Sequence, residues 1–300
     1  MAIDLQALYP KLIQLMPDAL FVVDPTDHIV FVSDACEALL GYRPDEMIGT
    51  LITHYMHPDD LAATRASIER VMNGQPHRDF RNRYVHKDGH AVYILWSAFW
   101  SAEVGARIGV ARDVTALAEA EAQLRFLAHH DPLTRVSNRA LFNERLDAAL
   151  RNARRYQHPF ALVFLDVNDF KGINDRHGHA AGDRVLCEIA RRLRGSLRET
   201  DTVARLGGDE FVLLLTGLQS PDDLDPKLAQ LRALLAQPLE GAEWSFAMPS
   251  CSFGVACYPR DGLNAAALLK HADGAMYHMK HAPGVQRDPP EAACHERLPG

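Results

Sequence analysis

A chain of 300 residues has room for two domains, each large enough to bury its own core. At 47% apolar and 24% charged residues it has the balance of an ordinary globular protein. Lys and Arg number 32 against 39 Asp and Glu, a net charge of −7 that excludes nucleic-acid binding through a polycationic surface. Residues 1–20 are broken by Asp4, Lys11 and Asp18, so they hold no secretory apolar core. The uncharged apolar stretch Ala91–Ala102 is far short of the ~20 residues that cross a bilayer. Phe21–Val23 and Ile29–Val32 are predicted strands about the turn cluster Asp24-Pro25-Thr26-Asp27. Ala35–Gly41 and Asp59–Asn73 carry helical spacing. Arg81–His86 and Ala91–Trp100 flank Lys87-Asp88-Gly89-His90, whose Asp-Gly pair supplies the positive φ angles of a tight hairpin, and Val104–Arg112 adds a further strand.

In that order, Pro17-Asp18-Ala19-Leu20, Gly41-Tyr42, His57-Pro58-Asp59-Asp60, Lys87-Asp88-Gly89 and the closing Arg112-Asp113-Val114-Thr115 resemble a PAS domain. The resemblance covers about residues 11–115 of a domain placed at 1–115. It implies an antiparallel sheet with flanking helices, serving either as a ligand sensor or as a dimerisation module. His54 and His57 sit where a haem ligand could, but His57 precedes a proline and two acids and reads as a helix start. The cysteine motif of flavin photoreceptors is absent, so the PAS ligand stays unknown.

Residues 116–130 form a helical linker in which Leu117, Ala120, Leu124 and Leu127 make an a/d stripe. Two copies could pair there as a short coiled coil; the alternative is a helix packed on its own domain. Beyond it the charge is nearly balanced, 21 Lys and Arg against 22 Asp and Glu over residues 131–300, which suits a small anionic ligand. Cys36, Cys187, Cys251, Cys257 and Cys294 form no CxxC pair and predict free thiols in a reducing cytoplasm.

Three segments of this half place polar groups where core logic would not. Ala161–Leu165 reads as a buried strand ending in Asp166, which alone is a helix cap or a cation ligand. Phe170–Asp183 then offers Lys171, Asn174 and Asp183 ahead of a helix whose apolar face is Val185, Leu186, Ile189, Leu193 and Leu197. An amide and a carboxylate there can read a purine edge. Finally, two strands flank Gly207-Gly208, and Asp209 and Glu210 lead into the second of them. The glycines would let a phosphate or base approach the backbone closely.

Together with Asp131-Pro132-Leu133-Thr134, Asn138-Arg139, Ser252–Ala256, Ala272–Tyr277 and Lys280, these segments resemble a GGDEF domain of the diguanylate cyclase family. The resemblance, placed at 131–282, implies an α+β ferredoxin-like palm that joins two GTP into cyclic di-GMP. It implies two Mg²⁺ per active site, with Mn²⁺ as the alternative, held by Asp166, the carbonyl of Val167, Asp209 and Glu210. Glu210 is its first choice of catalytic residue, with Asp209 beside it. Lys171, Asn174, His179, Asp183, Gly207, Gly208 and Lys280 would bind GTP, the lysines on phosphates and Asn174 and Asp183 on guanine. Bond formation would require a homodimer.

Arg198-Glu199-Thr200-Asp201 matches the RxxD feedback site of that family, at which cyclic di-GMP would act as inhibitor; the plain alternative is a helix end with an i,i+3 ion pair. Asn168 stands where the family often has a second Asp, Arg135 replaces a usual Gly, and no basic residue follows Lys280 directly. Residues 283–300, rich in proline, are expected to be a disordered tail. The rival reading is a catalytically silent GGDEF module that binds GTP or cyclic di-GMP and regulates a partner.

Overall fold

The computed structural model describes residues 4–218, 224–238 and 248–281; the predicted tail and Cys294 lie outside them. The chain divides into two compact units, Met1–Gln123 and Leu124–Gly300. In chain order the first holds α1 (Leu5–Leu15), β1 (Ala19–Val23), β2 (Ile29–Val32), α2 (Ala35–Leu40), α3 (Pro44–Met47), α4 (Leu61–Met72), β3 (His77–Val85), β4 (Ala91–Ser101) and β5 (Ala106–Asp113). The strands pair antiparallel in the order β2-β1-β5-β4-β3, the sheet expected of a PAS fold. Alternating residues Ala19, Phe21 and Val23 of β1 are buried, so one face of the sheet meets the helices.

Phe21, Ile29, Leu40, Met47, Tyr84, Ile94 and Trp96 make that core, with Phe21 edge-on to Trp96 at 5.3 Å. Its buried polar atoms are satisfied in series: Trp96 Nε1 donates to Asn82 Oδ1 at 2.9 Å, and Asn82 Nδ2 donates to Thr64 Oγ1 at 3.0 Å. An apolar cavity of about 70 Å³ lies among Phe21, Val71, Tyr84 and Trp96. It is smaller than the roughly 150 Å³ that holds a benzene ring, so a haem or flavin would need the core to open. His54 is exposed, and His57 Nδ1 accepts the Asp59 N–H at 3.3 Å, a local cap as its sequence context predicts.

α5 (Thr115–His129) buries none of its residues, and Leu117, Leu124 and Leu127 of the predicted stripe are exposed. The second unit continues with α6 (Arg139–Tyr156), β6 (Phe160–Val167), α7 (Phe170–His177), α8 (His179–Ser196), β7 (Thr202–Gly207), β8 (Glu210–Leu215), α9 (Leu224–Leu235), β9 (Cys251–Tyr258) and α10 (Ala265–His281). Its four strands pair antiparallel in the order β7-β8-β6-β9, the 4-1-3-2 arrangement of a ferredoxin-like palm. β6 is central and buried throughout. Ala161, Val163, Leu165 and Val167 pack with α8 and α9, whereas Phe160, Leu162 and Phe164 pack with α6 and α10. The period of two therefore puts the next even residue, Asp166, on the α6/α10 face.

Cys36, Cys187, Cys251 and Cys257 are free thiols. Among the described residues no helix is long and apolar enough to cross a membrane.

Candidate active site

The site begins with strand register. Asp166 of β6 lies directly opposite Glu210 of β8, so two carboxylates share one sheet face at adjacent positions. Asp209 precedes Glu210 at the turn. From α10, Lys280 reaches this face and its Nζ donates to Asp166 Oδ1 at 2.6 Å. Burial, and then the Asp166 carboxylate, push Asp209 above the usual carboxylate range. Glu210 is raised too, by burial first and then by Asp166, Asp209 and Asp273. Glu210 is half-buried. Buried carboxylates that raise one another's proton affinity mark a site short of positive charge.

Glu210 also lines a cleft of about 370 Å³ with Arg139, Asn143, Lys270 and Asp273. Arg139, Lys270 and Asp273 were not predicted as site residues, although Arg139 and Asp273 lie within the motifs that carry the family resemblance. Ser252 of β9 flanks Asp166 on the other side. Asn168, in place of a second acid, braces the strand ends: its Nδ2 donates to Ser250 Oγ at 2.9 Å and its Oδ1 accepts from Ser252 Oγ at 2.8 Å.

The Gly207-Gly208 turn has φ of 150° and 52°, and a Cβ on either would meet nothing within 4 Å. The tip is thus open to a ligand. It is held from behind by Arg205, which donates to the Gly208 carbonyl from Nε at 2.9 Å and Nη2 at 2.7 Å. Arg205 Nη1 also reaches Asp131 at 3.0 Å, and Asp131 accepts the Thr134 N–H and hydroxyl. The opening Asp-Pro-Leu-Thr segment therefore anchors the signature turn, a role for Arg205 that spacing alone does not disclose.

Beyond the same end of β6, on α7, the Asn174 side chain is packed on Gly182. A Cβ at Gly182 would fall 2.1 Å from Asn174 Oδ1, and that oxygen is buried with no hydrogen-bond partner. An orphaned buried acceptor next to Asp183 is what a guanine edge would satisfy. Asp183, Lys171 and His179 are exposed, and none takes part in the contacts that join Asp166, Asp209, Glu210 and Lys280. Val167 is fully buried and has a hydrocarbon side chain, so its carbonyl is the one ligating group it has.

Arg198 and Asp201 lie together, but without the i,i+3 ion pair. Asp201 accepts the Arg198 backbone N–H at 3.2 Å and the Thr216 N–H at 3.0 Å, which leaves the guanidinium for other work. The two residues line a cleft of about 490 Å³ that also carries Arg135, Arg145, Arg194 and Phe126. Arg135 holds φ of 59°, which explains the usual glycine there, and its guanidinium lies 4.7 Å over the Phe126 ring.

The donor set at the sheet end is hard oxygen throughout, which fits Mg²⁺ or Mn²⁺. Family comparison matches residues 128–286 to the diguanylate cyclase GGDEF domain and residues 29–109 to the PAS fold. The chain is similar to the diguanylate cyclase TpbB of Pseudomonas aeruginosa, at 47% identity over 161 residues, covering 54% of this chain and 37% of that one. It also resembles the cyclic di-GMP phosphodiesterase PdeR of Escherichia coli, at 27% identity across 87% of this chain and 40% of that one. The crystal structure of the GGDEF domain of TpbB aligns with a TM-score of 0.48 at 47% identity, covering 49% of this chain and 91% of that one. The chain thus spans well under half the length of either curated relative. It belongs to the GGDEF family of diguanylate cyclase domains, with a PAS fold ahead of that domain.

Proposed function

We propose that this chain condenses two GTP molecules into cyclic di-GMP and releases two pyrophosphates. The observation that carries the reading is the opposed pair Asp166 and Glu210, with Asp209 beside them and Lys280 bonded to Asp166. Asp166, Asp209, Glu210 and the Val167 carbonyl would hold two Mg²⁺ ions, or Mn²⁺ in their place. When bound, such ions neutralise the triphosphate and ease ionisation of a ribose 3′-hydroxyl. Glu210, half-buried and of raised proton affinity, is suited to receive that proton. Lys171 and Lys280 bind phosphate oxygens; Lys280 would exchange Asp166 for them once cations neutralise the acids. Gly207 and Gly208 let the nucleotide lie against the backbone, and His179 flanks the base pocket.

Asn174 and Asp183 are assigned to guanine. Gly182→Ala should therefore raise KM for GTP roughly 10- to 100-fold with a much smaller change in kcat, because its Cβ displaces the Asn174 amide. Steady-state kinetics check this; a loss confined to kcat would remove Asn174 from base recognition.

One such domain holds one nucleotide, so the reading requires two copies facing each other. The exposed Leu117, Leu124 and Leu127 of α5 support pairing of linkers 116–130, with residues 1–115 as the regulatory PAS domain and 131–282 as the catalytic one. Feedback is assigned to Arg198 and Asp201. Arg198→Ala should weaken cyclic di-GMP binding roughly 10- to 100-fold, the worth of a hydrogen bond to a charged group, and raise the product level at which synthesis stalls. An unchanged progress curve would dismiss the feedback site.

The decisive experiment incubates purified protein with GTP and Mg²⁺ and resolves the nucleotides by chromatography. Cyclic di-GMP is the expected product. Unaltered GTP in a sample shown to be dimeric would leave an enzyme awaiting its PAS signal or a silent nucleotide-binding module, which titration of labelled GTP and cyclic di-GMP would separate.

A further inference from the structure

The β3–β4 turn, His86-Lys87-Asp88-Gly89-His90, gathers three potential ligands in five residues. Its backbone is fixed: the His86 N–H donates to the His90 carbonyl at 2.8 Å and the Gly89 N–H to the His86 carbonyl at 2.8 Å. The Lys87 N–H donates to the Leu40 carbonyl at 2.9 Å, which ties the turn to the end of α2. Within it, Asp88 Oδ1 lies 2.9 Å from His86 Nδ1 and in hydrogen-bond reach of His90 Nδ1, and the two imidazoles stack with centroids 4.4 Å apart. One donor atom from each of the three residues lies within 4.8 Å of the others.

The orientation of His86 is set from outside the turn. Its ring lies on Gly41, where a Cβ would fall 2.6 Å from both Cε1 and Nε2. That edge is therefore packed against α2, and Nδ1 is the nitrogen presented to Asp88. Lys87 is turned away, its Nζ bonded to Glu46 at 2.6 Å and 5.5 Å from the Tyr42 ring. The nearest ammonium thus does not compete for the Asp88 carboxylate.

We propose that His86, Asp88 and His90 form a binding site for a divalent transition ion of the zinc class. Two imidazoles and one carboxylate suit Zn²⁺, Ni²⁺ or Cu²⁺, whereas Mg²⁺ and Ca²⁺ take oxygen donors. On binding, the ion takes the His86 Nδ1 lone pair that now accepts the Asp88 N–H at 3.2 Å and replaces the proton shared between Asp88 Oδ1 and His90 Nδ1, and each donating imidazole carries its proton on the other ring nitrogen. Three protein donors leave positions for water, so the ion is exchangeable. Its effect is to cross-link the end of β3 to the start of β4 and, through His86 on Gly41 and Lys87 on Leu40, to stiffen the turn against α2. The site shares no residue with the carboxylate cluster of the second unit.

The test is a calorimetric titration of the full chain with Zn²⁺, in excess Mg²⁺ so that the oxygen ligands of the second unit are occupied. Zinc uptake is expected to fall by one equivalent in His90→Ala, and Asp88→Asn should weaken that binding step about tenfold or more. Both side chains are exposed, so circular dichroism should match the parent in each variant. His158→Ala, an exposed histidine in the second unit, should titrate like the parent. Visible absorption bands of Co²⁺ that vanish in His90→Ala would support the same ligand set. Equal zinc uptake by the parent and His90→Ala would overturn the site.

Discussion

A Glu210→Gln protein should lose cyclic di-GMP synthesis by on the order of 10²–10³-fold or more, yet melt above the parent when divalent ions are absent. Both results come from one arrangement. Glu210 and Asp166 are direct cross-strand neighbours, and like charges so placed oppose pairing. A carboxyl whose folded-state pKa is raised favours the fold at low pH and loses that contribution as pH rises through the raised value. Asp209 and Glu210 are both raised, so at neutral pH the ionised, metal-free cluster carries repulsion that unfolding would relieve. Glutamine keeps the size and hydrogen-bonding atoms of Glu210 and removes the charge. The gain should be a few tenths to about 1 kcal/mol, the size of a cross-strand charge effect. Mg²⁺ should raise the parent's melting temperature more than the variant's. Thermal melts with and without Mg²⁺, beside the chromatographic assay, read both consequences. A variant that is inactive and melts below the parent would point to damage rather than to lost charge.

How far this arrangement could be seen in the sequence depends on the range of the interaction involved. The hairpins were legible because Gly89, Gly207 and Gly208 hold positive φ angles that few other residues accept, although Asp88 itself does not take the positive φ expected of an Asp-Gly pair. The acids of the site were legible because Asp166 ends an apolar strand and Glu210 begins another, although their direct opposition depends on a register that spacing does not supply. α9 was not predicted. Its Asp225-Pro226 resembles a turn signal, while proline in the first turn is compatible with a helix, and Leu224, Leu228, Leu231 and Leu235 are its buried face. Gly182 and Arg205 escaped for a different reason. What makes a glycine necessary at 182 is the Asn174 side chain on the preceding helix, and what Arg205 does depends on Asp131, far away in sequence. At Arg198 and Asp201 the ion pair of the plain alternative is absent, because Asp201 is taken by the backbone amides of Arg198 and Thr216, a contact that spacing does not disclose.

Gly254→Ala is expected to be the most damaging single methyl in the second unit. Gly254 sits on β9 opposite Phe164, beneath α10. A Cβ there would fall 1.9 Å from the Ala272 carbonyl oxygen and 2.3 Å from the Met276 nitrogen. These are backbone atoms of a helix, so no rotamer change can make room and α10 itself must lift. That helix buries Leu268, Ala272 and Met276 and also carries Asp273 and Lys280 into the site. Overpacking of this kind costs about 3 kcal/mol or more where the surroundings cannot yield. For a unit of this size the corresponding fall in melting temperature is roughly 6–12 °C. Activity should fall further than the residual folded fraction explains, because Lys280 leaves Asp166. Gly274→Ala is the control on the same helix: a Cβ there meets nothing within 4 Å, and alanine should add about 0.5–1 kcal/mol through helix propensity. Denaturant or thermal unfolding of both variants tests the contrast. If Gly254→Ala melted with the parent, α10 would not lie this close to the sheet, and the Lys280–Asp166 contact that depends on that approach would go with it.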